Sequence, residues 1–110
     1  MSEEKKSDSP FEVGVAKALS DRGYRLVQQW KVGAYRLDMV AVCGKKTVAI
    51  ECDGERYHSG EAKVREDMER QTILERLGWR FIRIRGSEYF RNPEKTIERV
   101  IFELTEYGIM

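Results

Sequence analysis

Histidine is nearly missing from this chain: His58 is the single copy in 110 residues. Cysteine is almost as scarce, and Cys43 and Cys52 make neither a disulfide framework nor a Cys-x-x-Cys zinc pair. Net charge is missing too. With 20 Lys+Arg against 19 Asp+Glu, the molecule as a whole has no field that would gather nucleic acid, so any such binding must come from a local patch or a neighbouring domain. No apolar run approaches the ~20 residues needed to span a bilayer. The polar start, Met1 to Asp8, lacks the apolar stretch of a signal peptide. The expected compartment is therefore the cytoplasm. Gly14, Gly23 and Gly33 are too dispersed for a phosphate loop, and there is no internal repeat or low-complexity segment.

What remains is an ordinary folded composition, 41% hydrophobic and 35% charged, at a length that fits one domain. Residues 1–8 read as a disordered lead-in and 9–110 as a single domain. Ser9-Pro-Phe-Glu12 has the marks of a helix start: Ser9 caps, Pro10 suits the first helical position, and Glu12 closes a capping box. Phe11, Val15, Ala18 and Leu19 fall on one helical face, and Gly23 is a stop. Tyr24–Val32, Arg36–Val42 and Thr47–Asp53 read as strands, the last two joined by Cys43-Gly-Lys-Lys46 into an antiparallel hairpin. A long helix is expected from Gly60 to Leu77, ended by Gly78, then a strand over Arg80–Arg85 and a last helix opened by Asn92-Pro93. The predicted order is α-β-β-β-α-β-α around a small mixed sheet.

The acidic residues on the hairpin carry the chemistry. Asp38 interrupts an apolar run, preceded by Leu37 and followed by Met39-Val-Ala-Val42, where an unpaired carboxylate is costly. Strand alternation puts Asp38 on the side of Val40 and Val42, and Glu51 and Asp53 on one face of the next strand. Pairing the strands brings three carboxylates together, and such a group repels unless protonated or sharing a cation. Hard oxygen ligands of this kind suit Mg²⁺ or Mn²⁺. The alternative is that they are solvated at a strand end.

These features together resemble the PD-(D/E)XK nuclease superfamily, and within it the branch related to very-short-patch-repair (Vsr) endonucleases. The resemblance rests on Ser9-Pro-Phe-Glu12, Tyr35-Arg-Leu-Asp38, Ile50-Glu-Cys-Asp-Gly-Glu-Arg-Tyr-His58, Arg65-x-Asp67 and Leu77-Gly-Trp-Arg-Phe-Ile-Arg83. The closing Arg83-Ile-Arg-Gly-Ser-Glu-Tyr-Phe-Arg-Asn-Pro93 is similar to the end of restriction-endonuclease-like domains appended to helicase-like proteins. The match spans about residues 9 to 104. It implies a three-layer α-β-α core, with Asp38 as central metal ligand and Glu51 as a second or water-mediated one. The Cys52 carbonyl and Asp53 would complete the metal set, and Glu12 would be an outer or second-metal carboxylate. The capping role of Glu12 is compatible with that.

Two departures stand out. Leu37 precedes Asp38 where the superfamily has proline, and Asp53 stands where it usually has lysine. An aspartate can bind metal or a metal-bound water, but it removes a positive charge, so another cation or base is required. By the resemblance His58 would serve near the scissile phosphate; an imidazole titrating at about 6.5 can activate water or protonate a leaving oxygen. By itself it reads as a surface histidine beside Tyr57. On the long helix, Val64, Met68, Leu74 and Leu77 bound a core-facing arc that also holds Asp67, Arg70 and Gln71. Arg70 or Gln71 could hold a phosphate oxygen, while Arg65 lies off the arc. Arg83 and Arg85, with Arg80 and Arg91 and interleaved aromatics, make a candidate nucleic-acid surface. The expected function is Mg²⁺-dependent hydrolysis of DNA in repair or restriction, with a helicase domain as possible partner. The rivals are a catalytically silent module of the same fold that binds DNA or protein, and an RNA-directed nuclease.

Overall fold

Pro10 opens the first helix and its fixed φ matches the helical start, so α1 runs Pro10–Asp21. Phe11, Val15 and Leu19 recur every fourth residue and are buried; Ala16 joins them, while Ala18 is only half-buried at the edge. Gly23, at φ 93°, stops the helix as expected. Gly23 N–H donates to the Ser20 carbonyl and Tyr24 N–H to that of Leu19, which satisfies two orphan acceptors of the last turn. The computed structural model describes residues 10–53 and 61–109. The lead-in, the Ser9 cap and His58 therefore lie outside the described residues.

The strands are β1 (Arg25–Val32), β2 (Tyr35–Cys43), β3 (Lys46–Asp53) and β4 (Phe81–Arg85), ordered β1-β2-β3-β4 in one sheet. β1 and β2 are antiparallel, as are β2 and β3, whereas β4 lies parallel to β3. Cys43 pairs with Lys46, so the expected hairpin turns on Gly44 and Lys45. The intervening α2 (Glu61–Arg76) supplies the crossover a parallel pair needs. It ends at Gly78, φ 101°, by the same device as α1. After β4 come α3 (Gly86–Arg91) and α4 (Pro93–Glu106). The short α3 falls where the sequence suggested only a connection, so the order is α-β-β-β-α-β-α-α.

Helices cover both faces of the sheet. On one, Met39, Ala41, Val48, Ile50, Ile82 and Ile84 pack beneath Phe11, Val15 and Leu19 of α1 and Ile97, Val100 and Leu104 of α4. On the other, Leu37, Val40 and Ala49 pack under Leu74 of α2, flanked by Trp30, Trp79 and Phe81. The core arc of α2 is narrower than the sequence implied. Leu74 is fully buried, but Met68 and Leu77 are 64% and 65% exposed. Strict alternation also fails in β2, because Leu37 shares a cluster with Val40 rather than with Met39. The break lies across from Gln29, whose φ of 55° departs from strand geometry. Among the described residues no helix is long and apolar enough to cross a membrane.

Candidate active site

The centre of the sheet divides like a fork. The β2–β3 ladder runs from Cys43 opposite Lys46 to Met39 opposite Ile50, and β3 then continues against β4 with Glu51, Cys52 and Asp53 opposite Arg83, Ile84 and Arg85. Where the first ladder ends, side chains take over from backbone. Asp38 N–H donates to Glu51 Oε2 at 3.3 Å, and Cys52 N–H donates to Asp38 Oδ2 at 3.1 Å. The two carboxylates thus bridge the strands in opposite directions, and the fork itself is what brings them together.

Positive charge comes from two other elements. Arg70 of α2, beside the anchor Leu74, donates to Glu51 Oε1 at 3.3 Å and to the Arg36 carbonyl at 2.8 Å. Arg83 on β4 donates to Gln71 Oε1, and Gln71 Nε2 donates to Glu75 at 3.1 Å. Two cations, Arg70 and Arg83, thus stand near the carboxylates, and their charges both act on Asp38 and Glu51. Arg85 stands opposite Asp53 and is exposed. Arg65 is exposed on α2, as its position off the arc implied.

Burial dominates the electrostatics. Glu51 is only 7% exposed. Desolvation and then the charge of Asp38 push its carboxyl above the usual range, against the opposing pull of Arg70, the Asp38 N–H and Arg83. Asp38 is also raised by burial, with Asp53 adding to the effect and the Cys52 N–H, Arg70 and Arg83 working against it. Glu12, half-buried on the first turn of α1, is raised from 4.5 to about 7 by burial, then by Asp38 and Glu51. The Cys52 thiol is pushed far up by burial and by the same three carboxylates. Four acidic positions picked from sequence, Glu12, Asp38, Glu51 and Asp53, thus share one electrostatic neighbourhood.

These shifts have a consequence for stability. A carboxyl whose folded-state pKa is raised binds its proton more tightly in the native state, so it adds stability below its unfolded pKa. That contribution is lost as pH rises through the folded value. For Glu12 the window is about pH 4.5 to 7. In EDTA the melting temperature should therefore climb as pH falls from 8 towards 5, and Glu12→Gln should flatten the climb. Discounted for its partial exposure, Glu12 contributes on the order of 1 kcal/mol. A melting temperature that rises with pH across this window would contradict the assignment.

Whether a divalent ion fits can be judged from the donors. Among the described residues no three His, Cys, Asp or Glu side chains converge on one point as an all-protein metal cage would require. Asp38 and Glu51 nevertheless offer two hard carboxylates of elevated pKa, Glu51 buried and Asp38 half-buried, side by side at the fork between β2 and β3. Mg²⁺ is commonly bound by one or two carboxylates with water and substrate phosphate completing its shell, so the donor set fits.

A four-stranded mixed sheet with helices on both faces, in this order, matches the architecture of a restriction-endonuclease-like domain. The chain belongs to the restriction-endonuclease-like family REase_MTES_1575, whose family model matches residues 11–104. No curated protein matches the chain in a sequence search.

Proposed function

We propose that the protein is a metal-dependent endodeoxyribonuclease that hydrolyses DNA phosphodiester bonds with Mg²⁺ or Mn²⁺ at the fork between β2 and β3. The observation that carries the reading is the mutual bridge of half-buried Asp38 and buried Glu51, two carboxylates that the chain keeps beside Arg70 and Arg83. Family membership supports a nuclease, and the donor chemistry supports the metal. Asp38 and Glu51 would hold the ion, with Asp53 and the Cys52 carbonyl next to them. The ion, when bound, would supply Lewis acidity and a water of lowered pKa.

The chain's own residues do the rest. Arg70 and Arg83 place positive charge next to the carboxylates, where charge on the phosphate develops and where low local dielectric makes fixed charges count. Glu12 faces the pair as an outer carboxylate able to accept a hydrogen bond from water. Proton transfer is assigned to His58, with Asp53 or Glu12, by the resemblance to Vsr-like enzymes. That resemblance also suggests a setting in repair or restriction, with a helicase-like domain in the same or a partner chain, and the expected compartment is the cytoplasm.

Supercoiled plasmid and single-stranded DNA incubated with Mg²⁺, Mn²⁺ or EDTA test the proposal, with Mn²⁺ binding followed by calorimetry. The expected result is cleavage that needs the metal, with RNA of the same sequence cut more slowly. A folded protein that neither cuts nor binds Mn²⁺ would overturn it in favour of a silent module that binds DNA or protein.

A further inference from the structure

Phe90 is 63% exposed, yet it is firmly mounted. Its ring lies 5.7 Å from Phe11 and 5.1 Å from Tyr89, centroid to centroid. Tyr89 in turn stacks 5.2 Å from Phe11 and fills the space over Gly14, where a Cβ would overlap its hydroxyl. The short helix that carries Phe90 is pinned by its neighbours. The Glu88 carbonyl accepts from Asn92 N–H at 3.1 Å and from Thr96 Oγ1 at 3.0 Å. The Glu88 carboxylate pairs with Arg99, which also donates to the Arg83 carbonyl at 3.2 Å. An exposed aromatic held this way needs little further ordering when a flat ligand lands on it.

Its position matters as much as its mounting. Phe11, on which it stacks, adjoins Glu12, and Glu12 feels the charges of Asp38 and Glu51. Gly86, at the start of α3, directly follows Arg85 and lies in van der Waals range of the Asp53 carbonyl and the Phe11 ring; a Cβ there would sit 3.6 Å from each. Through Phe11, the Phe11–Tyr89–Phe90 stack therefore adjoins Gly86 and the Asp53 carbonyl, two residues beyond Glu51. Arg85 and Arg91, both exposed, stand before and at the end of α3.

We infer that Phe90 is a stacking platform for an unpaired base beside the phosphate at Asp38 and Glu51, and that the preferred substrate is single-stranded DNA. The choice of DNA rests on the nuclease reading above. Bases in a duplex keep their faces covered by neighbours, whereas a single strand presents them to an aromatic ring. Arg85 and Arg91 supply the backbone charge that a chain with no net field must provide locally. The exposure of Phe90 then has a purpose that packing alone does not give it.

The test is anisotropy of one labelled oligonucleotide, single-stranded and as a duplex, titrated in EDTA so that binding is read without cleavage. Wild type should bind the single strand at least about ten-fold more tightly than the duplex. Phe90→Ala should weaken single-strand binding about 5- to 160-fold, the range for loss of one stacked base, and leave duplex binding nearly unchanged. Phe90→Trp should retain it. Phe102→Ala, which removes an aromatic of matching exposure (65%) on α4, should change nothing. Unfolding midpoints of Phe90→Ala and Phe102→Ala control for folding. Equal binding by wild type and Phe90→Ala, equal losses on both DNAs, or no single-strand preference would each overturn the inference. Metal-dependent cleavage that survives such a result would leave the nuclease reading standing. Stacking on Phe90 without cleavage would do the reverse.

Discussion

Asp38→Asn is expected to abolish metal-dependent cleavage, by on the order of 10³-fold, while making the protein more stable in EDTA. The amide keeps an oxygen where Asp38 Oδ2 now accepts the Cys52 N–H, so the strand bridge at the fork survives. It removes a negative charge that burial and Asp53 disfavour and that itself raises Glu51 and Glu12. Because the folded-state pKa of Asp38 is raised above 3.8, its ionised form costs stability at neutral pH, and the neutral amide escapes that cost. The gain should be of the size typical for relieving strain at an active site, about 0.5–2 kcal/mol at pH 8. Asp38→Ala should be equally inactive but less stable than Asp38→Asn. It loses the acceptor and leaves the Cys52 N–H unmet, a cost of about 1–3 kcal/mol. Two variants with the same catalytic defect and different unfolding midpoints, Asn above wild type and Ala below Asn, would separate the ligand role of Asp38 from its structural one. An active Asp38→Asn would remove the fork from consideration as the catalytic centre.

Much of this arrangement was legible in the residues, and the rest was not for identifiable reasons. An aspartate inside Leu37-Asp-Met-Val40 interrupts an apolar strand, and that conflict pointed to the fork before any geometry did. How the carboxylates meet was less accessible. Alternation placed Asp38 with Val40, but the chain departs from regular strand geometry at Gln29, and Leu37 shares a cluster with Val40. The source of positive charge beside the carboxylates could have been traced further. In Phe81-Ile-Arg-Ile-Arg85 the apolar Ile82 and Ile84 alternate with Arg83 and Arg85, so pairing to β3 sets the arginines opposite Glu51 and Asp53. The sequence does not say that β4 lies beside β3, which only the crossover settles. The helix α3 escaped because its six residues are too few to display a period, and its stability comes from Thr96, Arg99 and Phe11 elsewhere in the chain. Met68 on α2 and Leu77 just past its end looked like core, yet Leu74 does the anchoring, with polar Arg70 and Gln71 beside it.

That polar anchoring leads to the largest expected change in stability. Arg70→Ala should destabilise the protein in EDTA by about 3–5 kcal/mol, since it leaves a buried carboxylate without its ion pair. The side chains of Arg70 and Glu51 are 19% and 9% exposed, so solvent does little to compensate either charge. Arg70 also ties α2 to the Arg36 carbonyl, and Leu74 and the Gln71–Arg83 bond link this helix to the sheet as well. Glu51→Gln in the Arg70→Ala background should recover most of the loss, because the amide has no charge to leave unpaired, and the double-mutant cycle then isolates the pair from the packing of the arginine stem. Mn²⁺ distinguishes an ion pair that merely holds the fold from one that shares its carboxylate with a metal. If Glu51 is a ligand, the ion supplies the positive charge that Arg70→Ala removes, so Mn²⁺ should raise the unfolding midpoint of Arg70→Ala more than that of wild type. It should do nothing for Glu51→Gln combined with Asp38→Asn. Equal stabilisation of all these proteins would place the ion away from the fork, and Arg70 would then be a structural strut alone.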